Sequence, residues 1–185
     1  METDIEKCLQ VLRSGGIILY PTDTIWGIGC DATDDKAVER IFQLKRRPPQ
    51  RSMIVLMVDE RDVLKYTAAA DLQVFDYLKK TGKPTTMIFE HAIGLADNLL
   101  AEDGSIGIRL VKDEFCRHLI KRFKKPIVST SANISGQISP ANFKDISNDI
   151  INGVDYAVHY RRDDLSASIP SSVVKWKNGK IEIIR

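Results

Sequence analysis

Two β-branched runs, Val173-Val174-Lys175-Trp176 and Ile181-Glu182-Ile183-Ile184, flank Asn178-Gly179 near the end of the chain, and this stretch decides the fold. Asn-Gly accepts the left-handed backbone that a tight hairpin turn needs, so the two runs are predicted to pair antiparallel. Upstream, strands and helices interleave, a pattern that by itself suggests parallel crossovers. Adding an antiparallel hairpin makes the sheet mixed. The expected class is therefore α/β (α+β), one domain over residues 1–185 with a twisted mixed sheet and flanking helices.

Working outward from the hairpin, the remaining elements follow from periodicity and punctuation. Thr3 followed by Glu6 reads as a capping box opening a helix on Ile5, Cys8, Leu9 and Leu12, which Gly15-Gly16 stops. Strands are predicted at Ile17 to Tyr20, Ile25 to Cys30, Ile54 to Val58, Thr85 to Phe89, Ser105 to Val111, Pro126 to Thr130 and Tyr156 to His159. Helices are predicted from Asp34 to Pro48-Pro49, on Leu72, Phe75 and Leu78 up to Gly82, along Phe115 to Phe123, and from Ser139-Pro140 to Gly153. No internal repeat or linker is visible.

The chain has 185 residues, 43% of them hydrophobic and 28% charged, which suits an ordinary folded domain and excludes a disulfide scaffold or a disordered tail. Lys plus Arg is 27 against 25 Asp plus Glu, net +2, so any basic surface has to be local. Cys8, Cys30 and Cys116 lack zinc-ligand spacing and read as reduced, buried small hydrophobes; no metal ligand is assigned. Acids in METDIEKCLQ and the lack of an 18-residue apolar run point to a cytoplasmic protein that does not associate with membranes.

Neither a Walker A sequence nor GxGxxG occurs, and His91, His118 and His159 stand apart from any Ser/Asp pairing. Four polar clusters remain, each with two readings. Pro21-Thr22-Asp23-Thr24-Ile25-Trp26-Gly27 follows a buried strand, where α/β sheets hold ligands, but Asp and Thr also close ordinary turns. Lys45-Arg46-Arg47-Pro48-Pro49-Gln50-Arg51 puts four cations at a helix C-terminus. They either complement the helix dipole or, held one way by the double proline, grip polyphosphate.

In Ser105-Ile106-Gly107-Ile108-Arg109-Leu110, alternation sends Ile106, Ile108 and Leu110 to the core and Ser105, Gly107 and Arg109 to the other face. That face is either an ordinary strand surface or a floor on which glycine leaves a ligand room. Ser129-Thr130-Ser131-Ala132-Asn133-Ile134-Ser135-Gly136 offers many uncharged donors for phosphate or carboxylate oxygens, or a hydroxyl turn network.

Taken in order, YPTDTIWGIGCDA, Lys45 and Arg47 before proline, SIGIR, and Ser131 with Asn133 in STSANISG resemble the YrdC-like family of L-threonylcarbamoyladenylate synthases, the TsaC type. The resemblance covers Gly16 to Arg185 and implies a twisted mixed sheet with a basic concave face. It further implies condensation of L-threonine, bicarbonate and ATP to threonylcarbamoyl-AMP and pyrophosphate, with Mg2+, feeding tRNA threonylcarbamoyladenosine modification. Partners implied are tRNA and the tRNA threonylcarbamoyl-transfer proteins.

By resemblance, Thr24, Arg109, Ser131 and Ser171 hold threonine, Arg109 taking its carboxylate. Lys45, Arg47, Arg51, Ser105, Asn133 and Arg185 hold ATP, and Lys45, Arg47, Ser131 and Asn133 carry the catalytic positioning. Trp26, Arg51-Ser52-Met53 and Ala141 depart from the family pattern. Two rivals stand beside this reading. One is a double-stranded RNA or tRNA-binding module using Lys121-Arg122-Phe123-Lys124-Lys125 and Tyr160-Arg161-Arg162 as phosphate contacts. The other is the carbamoyl-adenylate chemistry of the YrdC-like domain in hydrogenase maturation proteins, which carry additional domains.

Overall fold

A computed structural model describes residues 1–48, 53–68, 70–166, 170–177 and 179–184. Its first helix, α1 (Glu2–Arg13), buries Ile5, Cys8, Leu9 and Leu12 at helical spacing. The expected capping box is absent: Met1 is the N-cap, and Thr3 lies inside the first turn. Gly15 then takes φ +74, which only glycine adopts without strain, and turns the chain into β1 (Ile18–Tyr20). Strand β2 (Gly27–Gly29) returns antiparallel to it.

Helix α2 (Asp35–Lys45) is capped by Asp34, whose carboxylate accepts from the amides of Lys36 and Ala37. It ends earlier than the prolines suggest, because Arg46 already adopts the left-handed conformation at φ 50. Next come β3 (Ile54–Met57) and a helix that the periodicity did not reveal, α3 (Glu60–Tyr66), seven residues capped by Asp59 with only Val63 buried. Helix α4 (Gln73–Lys80) stops at Thr81, which is extended, so Gly82 is not its left-handed terminator. Phe75 of α4 stacks on Phe89 of β4 (Thr85–Phe89), ring centroids 6.2 Å apart.

β5 (Ile106–Leu110), α5 (Glu114–Phe123) and β6 (Ile127–Ser131) fall where periodicity places them. The helix expected from Ser139 to Gly153 is instead a short 3-10 turn, Phe143–Asp145, and α6 (Asn148–Gly153). Trp26 packs edge-on against Phe143 at 4.9 Å, anchoring the 3-10 turn. β7 (Tyr156–Ala157) is shorter than expected. The final hairpin pairs β8 (Ser172–Lys177) antiparallel with β9 (Lys180–Ile183); Asn178 lies outside the described residues, and Gly179 has φ +76.

Among the described residues the nine strands form one mixed sheet in the order β7-β1-β2-β6-β3-β5-β4-β8-β9. β1/β7, β3/β5 and β4/β8 are parallel pairs and the rest antiparallel. α1, α2, α4 and α5 bury their apolar stripes in one continuous core with Val55, Met57, Met87, Ile106 and Ile108 of the central strands. Register decides what the opposite face presents, since residues directly across from one another share a face. Ser129, Ile54, Gly107 and Ile88 stand in one row across β6, β3, β5 and β4. Leu56, Arg109, Thr86 and Val173 form the next.

Candidate functional site

A cleft of about 360 Å3 opens over those two rows. Its lining combines Thr24 and Gly27 from the turn and strand after β1, Arg47 after α2, Arg109 of β5, Ser129 and Ser131 of β6, and Ser139 and Ser171 from loops. Two guanidinium groups and several hydroxyls face it, and none of the described lining residues is acidic. Such a site accepts anionic groups by charge and orients them by neutral donors.

The alternation in SIGIR is realised. Ile106 and Ile108 go to the core, whereas Leu110, expected there too, is half-buried because it lines a separate hollow beside α4. Gly107 has no side chain to stand between Arg109 and Ser105. A Cβ there would sit 3.0 Å from Thr86 Cγ2 and 3.2 Å from Ile54 Cγ2. Arg109 is only 3% exposed although it carries a charge. Its Nη2 lies 3.1 Å from Asp23 Oδ1 and donates at 3.5 Å to Thr22 Oγ1, while its Nε is buried with no partner. A buried donor without a partner is costly, so Arg109 retains capacity for an added acceptor.

Burial raises the Asp23 carboxyl above its ordinary range; Arg109 pulls it down and Asp113 pushes it up. The neighbouring hydroxyls are tightly placed. Thr22 Oγ1 donates to the Ile25 carbonyl at 2.7 Å and lies 3.1 Å from Thr24 Oγ1. Ser171 Oγ sits 2.9 Å from Thr86 Oγ1, a wholly buried partner paired across the sheet with Arg109. Thr24, Arg109, Ser131 and Ser171, read from sequence as the threonine set, thus share one cleft.

The ATP set is not gathered in the same way. Arg47 lines the cleft, but Lys45 does not. The expectation that the double proline holds the guanidinium groups one way falls partly on Pro49 and Arg51, outside the described residues, whereas Lys45, read as an ATP ligand, is drawn into the fold. Lys45 lies on the buried stripe of α2 with Val38, Ile41 and Phe42, and the left-handed turn at Arg46 separates it from Arg47. Lys45 Nζ, 1% exposed, donates to the carbonyls of Ser131 at 2.5 Å and Asn133 at 2.6 Å, and reaches Asn133 Oδ1 at 3.5 Å. Burial, with the Arg47 charge, lowers its ammonium to about 7.

Asn133 donates through Nδ2 to Gln137 O at 2.7 Å and to Ile134 O at 3.2 Å, folding the loop on itself rather than lining the cleft. Ser105, just before β5, donates its backbone amide to Asp103 Oδ1 at 3.0 Å and lies off the lining as well. Arg51 and Arg185 fall outside the described residues. Sequence reasoning left Gly27, Ser129 and Ser139 without roles. Ser129 was recoverable from its alternation with Ser131, whereas Ser139 enters from a loop that periodicity cannot place.

Several cations of the RNA-binding alternative are engaged in ion pairs or hydrogen bonds within the chain. Lys125 pairs with Asp31 at 2.6 Å, Arg122 with Glu2, and Arg161 with Asp113 at 3.0 Å. Arg162 donates to Ala157 and Val158 carbonyls at 2.6 and 2.8 Å and covers the Phe143 ring. Among the described residues no helix is long and apolar enough to cross a membrane.

Comparison with known proteins agrees with this architecture. The Sua5/YciO/YrdC family model, described as telomere recombination, matches residues 10–185. A protein of Methanocaldococcus jannaschii is 31% identical over 188 residues, covering all of this chain and 87% of its own length. A threonylcarbamoyl-AMP synthase of Pseudoalteromonas translucida is 28% identical over 184 residues, 97% of each chain. Among solved structures, P. abyssi Sua5 complexed with L-threonine superposes with a TM-score of 0.88 at 22% identity over the whole of this chain, which spans 54% of that one. The chain belongs to the Sua5/YciO/YrdC family.

Proposed function

We propose that the protein is a threonylcarbamoyl-AMP synthase, a nucleotidyltransferase that joins L-threonine, bicarbonate and ATP and releases pyrophosphate. One observation carries the reading: a buried arginine with an unpartnered donor, Arg109, and a second arginine, Arg47, line one cleft with Thr24, Ser131 and Ser171, and none of its described lining residues is acidic. The activity named for the P. translucida relative supports it. So does the threonine named with P. abyssi Sua5. The whole chain, 1–185, is read as one YrdC-like domain.

The threonine carboxylate meets Arg109, and the hydroxyls of Thr24, Ser131 and Ser171 orient the rest of the amino acid. The free amine adds to bicarbonate carbon with loss of water. The resulting carbamate oxygen then attacks the α-phosphorus, and the bond to pyrophosphate breaks. No side chain is needed as a nucleophile. The protein contributes positioning and charge, with Arg47 on the polyphosphate and Lys45 holding the loop that carries Ser131 and Asn133.

Mg2+ is read as arriving with the nucleotide and neutralising part of its charge. Among the described residues no three His, Cys, Asp or Glu side chains gather to cage an ion, and the hydroxyl-rich lining fits one whose ligands are mainly phosphate oxygens and water. The product would serve tRNA threonylcarbamoyladenosine formation, with tRNA and the transfer proteins as downstream partners. Three free, buried, widely spaced cysteines suit the reducing cytoplasm. Incubating the protein with threonine, bicarbonate, ATP and Mg2+ should yield pyrophosphate and the adenylate in equal amounts. Salt-sensitive RNA binding with no threonine-dependent pyrophosphate would replace this reading with the RNA-binding one.

A further inference from the structure

Asp23 has no role in the reading above, yet it forms a nearly dry ion pair with Arg109. The groups are 3.1 Å apart, and their side chains are 13% and 3% exposed. Asp23 is not among the residues lining the substrate cleft. It borders a second hollow of about 570 Å3 with Val58, Phe75, Leu110 and Lys112. The carboxylate therefore meets the guanidinium from behind, while Arg109 still lines the first cleft and keeps its Nε unpartnered.

This arrangement addresses a problem of discrimination. Arg47 and Arg109 line the same small cleft and are chemically alike, but on the proposed reading one must take a carboxylate and the other a polyphosphate. Coulomb energy scales with the product of the charges. A fixed negative charge behind Arg109 opposes a multiply charged phosphate several times more than a singly charged carboxylate at the same place. The hydrogen bonds of the guanidinium fork remain available to the carboxylate.

We propose that Asp23 is a specificity-determining residue that reserves Arg109 for a monoanionic carboxylate and turns polyphosphate away from that end of the cleft. The proposal rests on the reading of the cleft as a threonine and ATP site. Asp23→Asn keeps the size and the side-chain oxygen of Asp23 and removes the charge; Asp23→Glu keeps the charge.

The test is calorimetric titration of L-threonine into the full chain and both variants, with and without saturating inorganic tripolyphosphate. Tripolyphosphate should change threonine affinity less than about twofold in the parent and in Asp23→Glu, but weaken it at least about tenfold in Asp23→Asn. A purely structural Asp23 would lower thermal stability without creating this competition. Should Asp23→Asn fail to fold, Asp23→Ser supplies a smaller uncharged replacement for the same measurement. Displacement of threonine by tripolyphosphate in the parent, or equal competition in the parent and a folded uncharged variant, overturns the proposal while leaving the site reading intact. No threonine binding by the parent without tripolyphosphate overturns the site reading, and the proposal with it.

Discussion

The ammonium of Lys45 donates to the carbonyl oxygen of Ser131 across 2.5 Å and so joins the last turn of α2 to the end of β6. The link runs both ways, because the Lys45 carbonyl accepts from the Ser135 amide at 2.8 Å. The loop that presents Ser131 to the cleft is thus held from both its ends by one residue. Lys45 acts in this structure through the loop, and its substitution should be felt by ligands it does not touch.

Lys45→Met preserves the length and apolar stem of the side chain but leaves the Ser131 and Asn133 carbonyls without their donor. The expected loss is about 2–4 kcal/mol of stability, the range for leaving two buried carbonyls without their donor. Threonine and ATP affinities should both fall, because the loop rather than one subsite is released. Denaturant unfolding and calorimetric titrations of the same preparation check both parts. Wild-type affinities in a destabilised but folded variant would mean that the loop holds its shape without the ammonium.

The same residue gives a pH dependence of defined sign. Burial, with the Arg47 charge, brings the folded-state ammonium down to about 7, well below the ordinary lysine range. Between those values the unfolded chain binds the extra proton, so this residue makes stability rise with pH. The upper part of the window is opposed by the buried thiols, Cys8 being pushed up to about 12, well above an ordinary thiol, by burial and by Asp4. Hence stability should increase from pH 7 to 9 by up to about 1.4 kcal/mol per unit, and Lys45→Met should flatten the rise. Urea midpoints at three pH values across that range decide it; equal slopes in the two proteins would exclude Lys45 as the source.

Gly29 marks the tightest approach in the strand beside the cleft. A Cβ there would lie 2.4 Å from the Val128 carbonyl oxygen and 2.7 Å from Tyr20 Cε1. The first is backbone and the second belongs to a fully buried ring that donates to that same carbonyl at 3.0 Å. Gly29→Ala should therefore cost at least about 3 kcal/mol through overpacking. Gly82→Ala, where nothing lies within 4 Å and φ is not positive, serves as the control and should leave the melting temperature unchanged or slightly higher. A melting temperature for Gly29→Ala equal to that of the control would mean that β2 and β6 can separate freely.

Much of this architecture is legible from local pattern. Period-two alternation in SIGIR placed Gly107 and Arg109 on one face, because a buried core fixes which parity turns inward. The Asn-Gly pair located the final hairpin for the same kind of local reason. What local pattern could not show is which strands become neighbours. Ser129, Ile54 and Gly107 stand in one row only because β6, β3 and β5 are adjacent, an order that skips along the chain. Helix α3 escaped notice because it buries only Val63 and has no apolar stripe. The separation of Lys45 from Arg47 turns on one left-handed residue, Arg46, and arginine carries no signal for that conformation.

Arg47 lines the same cleft as Arg109 and is the residue read as holding the polyphosphate. Arg47→Ala removes a charge-assisted contact worth roughly 1.5–3 kcal/mol, which corresponds to about 10- to 150-fold in ATP affinity. Threonine affinity should change little, since Arg109 and its hydroxyl partners remain. Unaltered ATP binding and turnover in the folded variant would remove Arg47 from the site.

Arg109→Lys probes the residue read as taking the threonine carboxylate while retaining the charge that Asp23 needs. The guanidinium has its Nη2 on Asp23 at 3.1 Å and an unpartnered Nε, so it can serve its counter-ion and a bound carboxylate together. An ammonium is a single point of donors on a flexible stem and cannot reproduce that fork. Pairing with Asp23 should keep the variant folded, because the buried carboxylate is not stranded. Threonine binding should then weaken by about tenfold or more, with the threonine KM rising accordingly and ATP affinity staying near the parent value. Calorimetric titration of each substrate, together with the melting temperature, separates the outcomes. Parent-like threonine affinity in a folded Arg109→Lys protein would show that charge alone suffices at this position, and the bidentate role assigned to Arg109 would have to be abandoned.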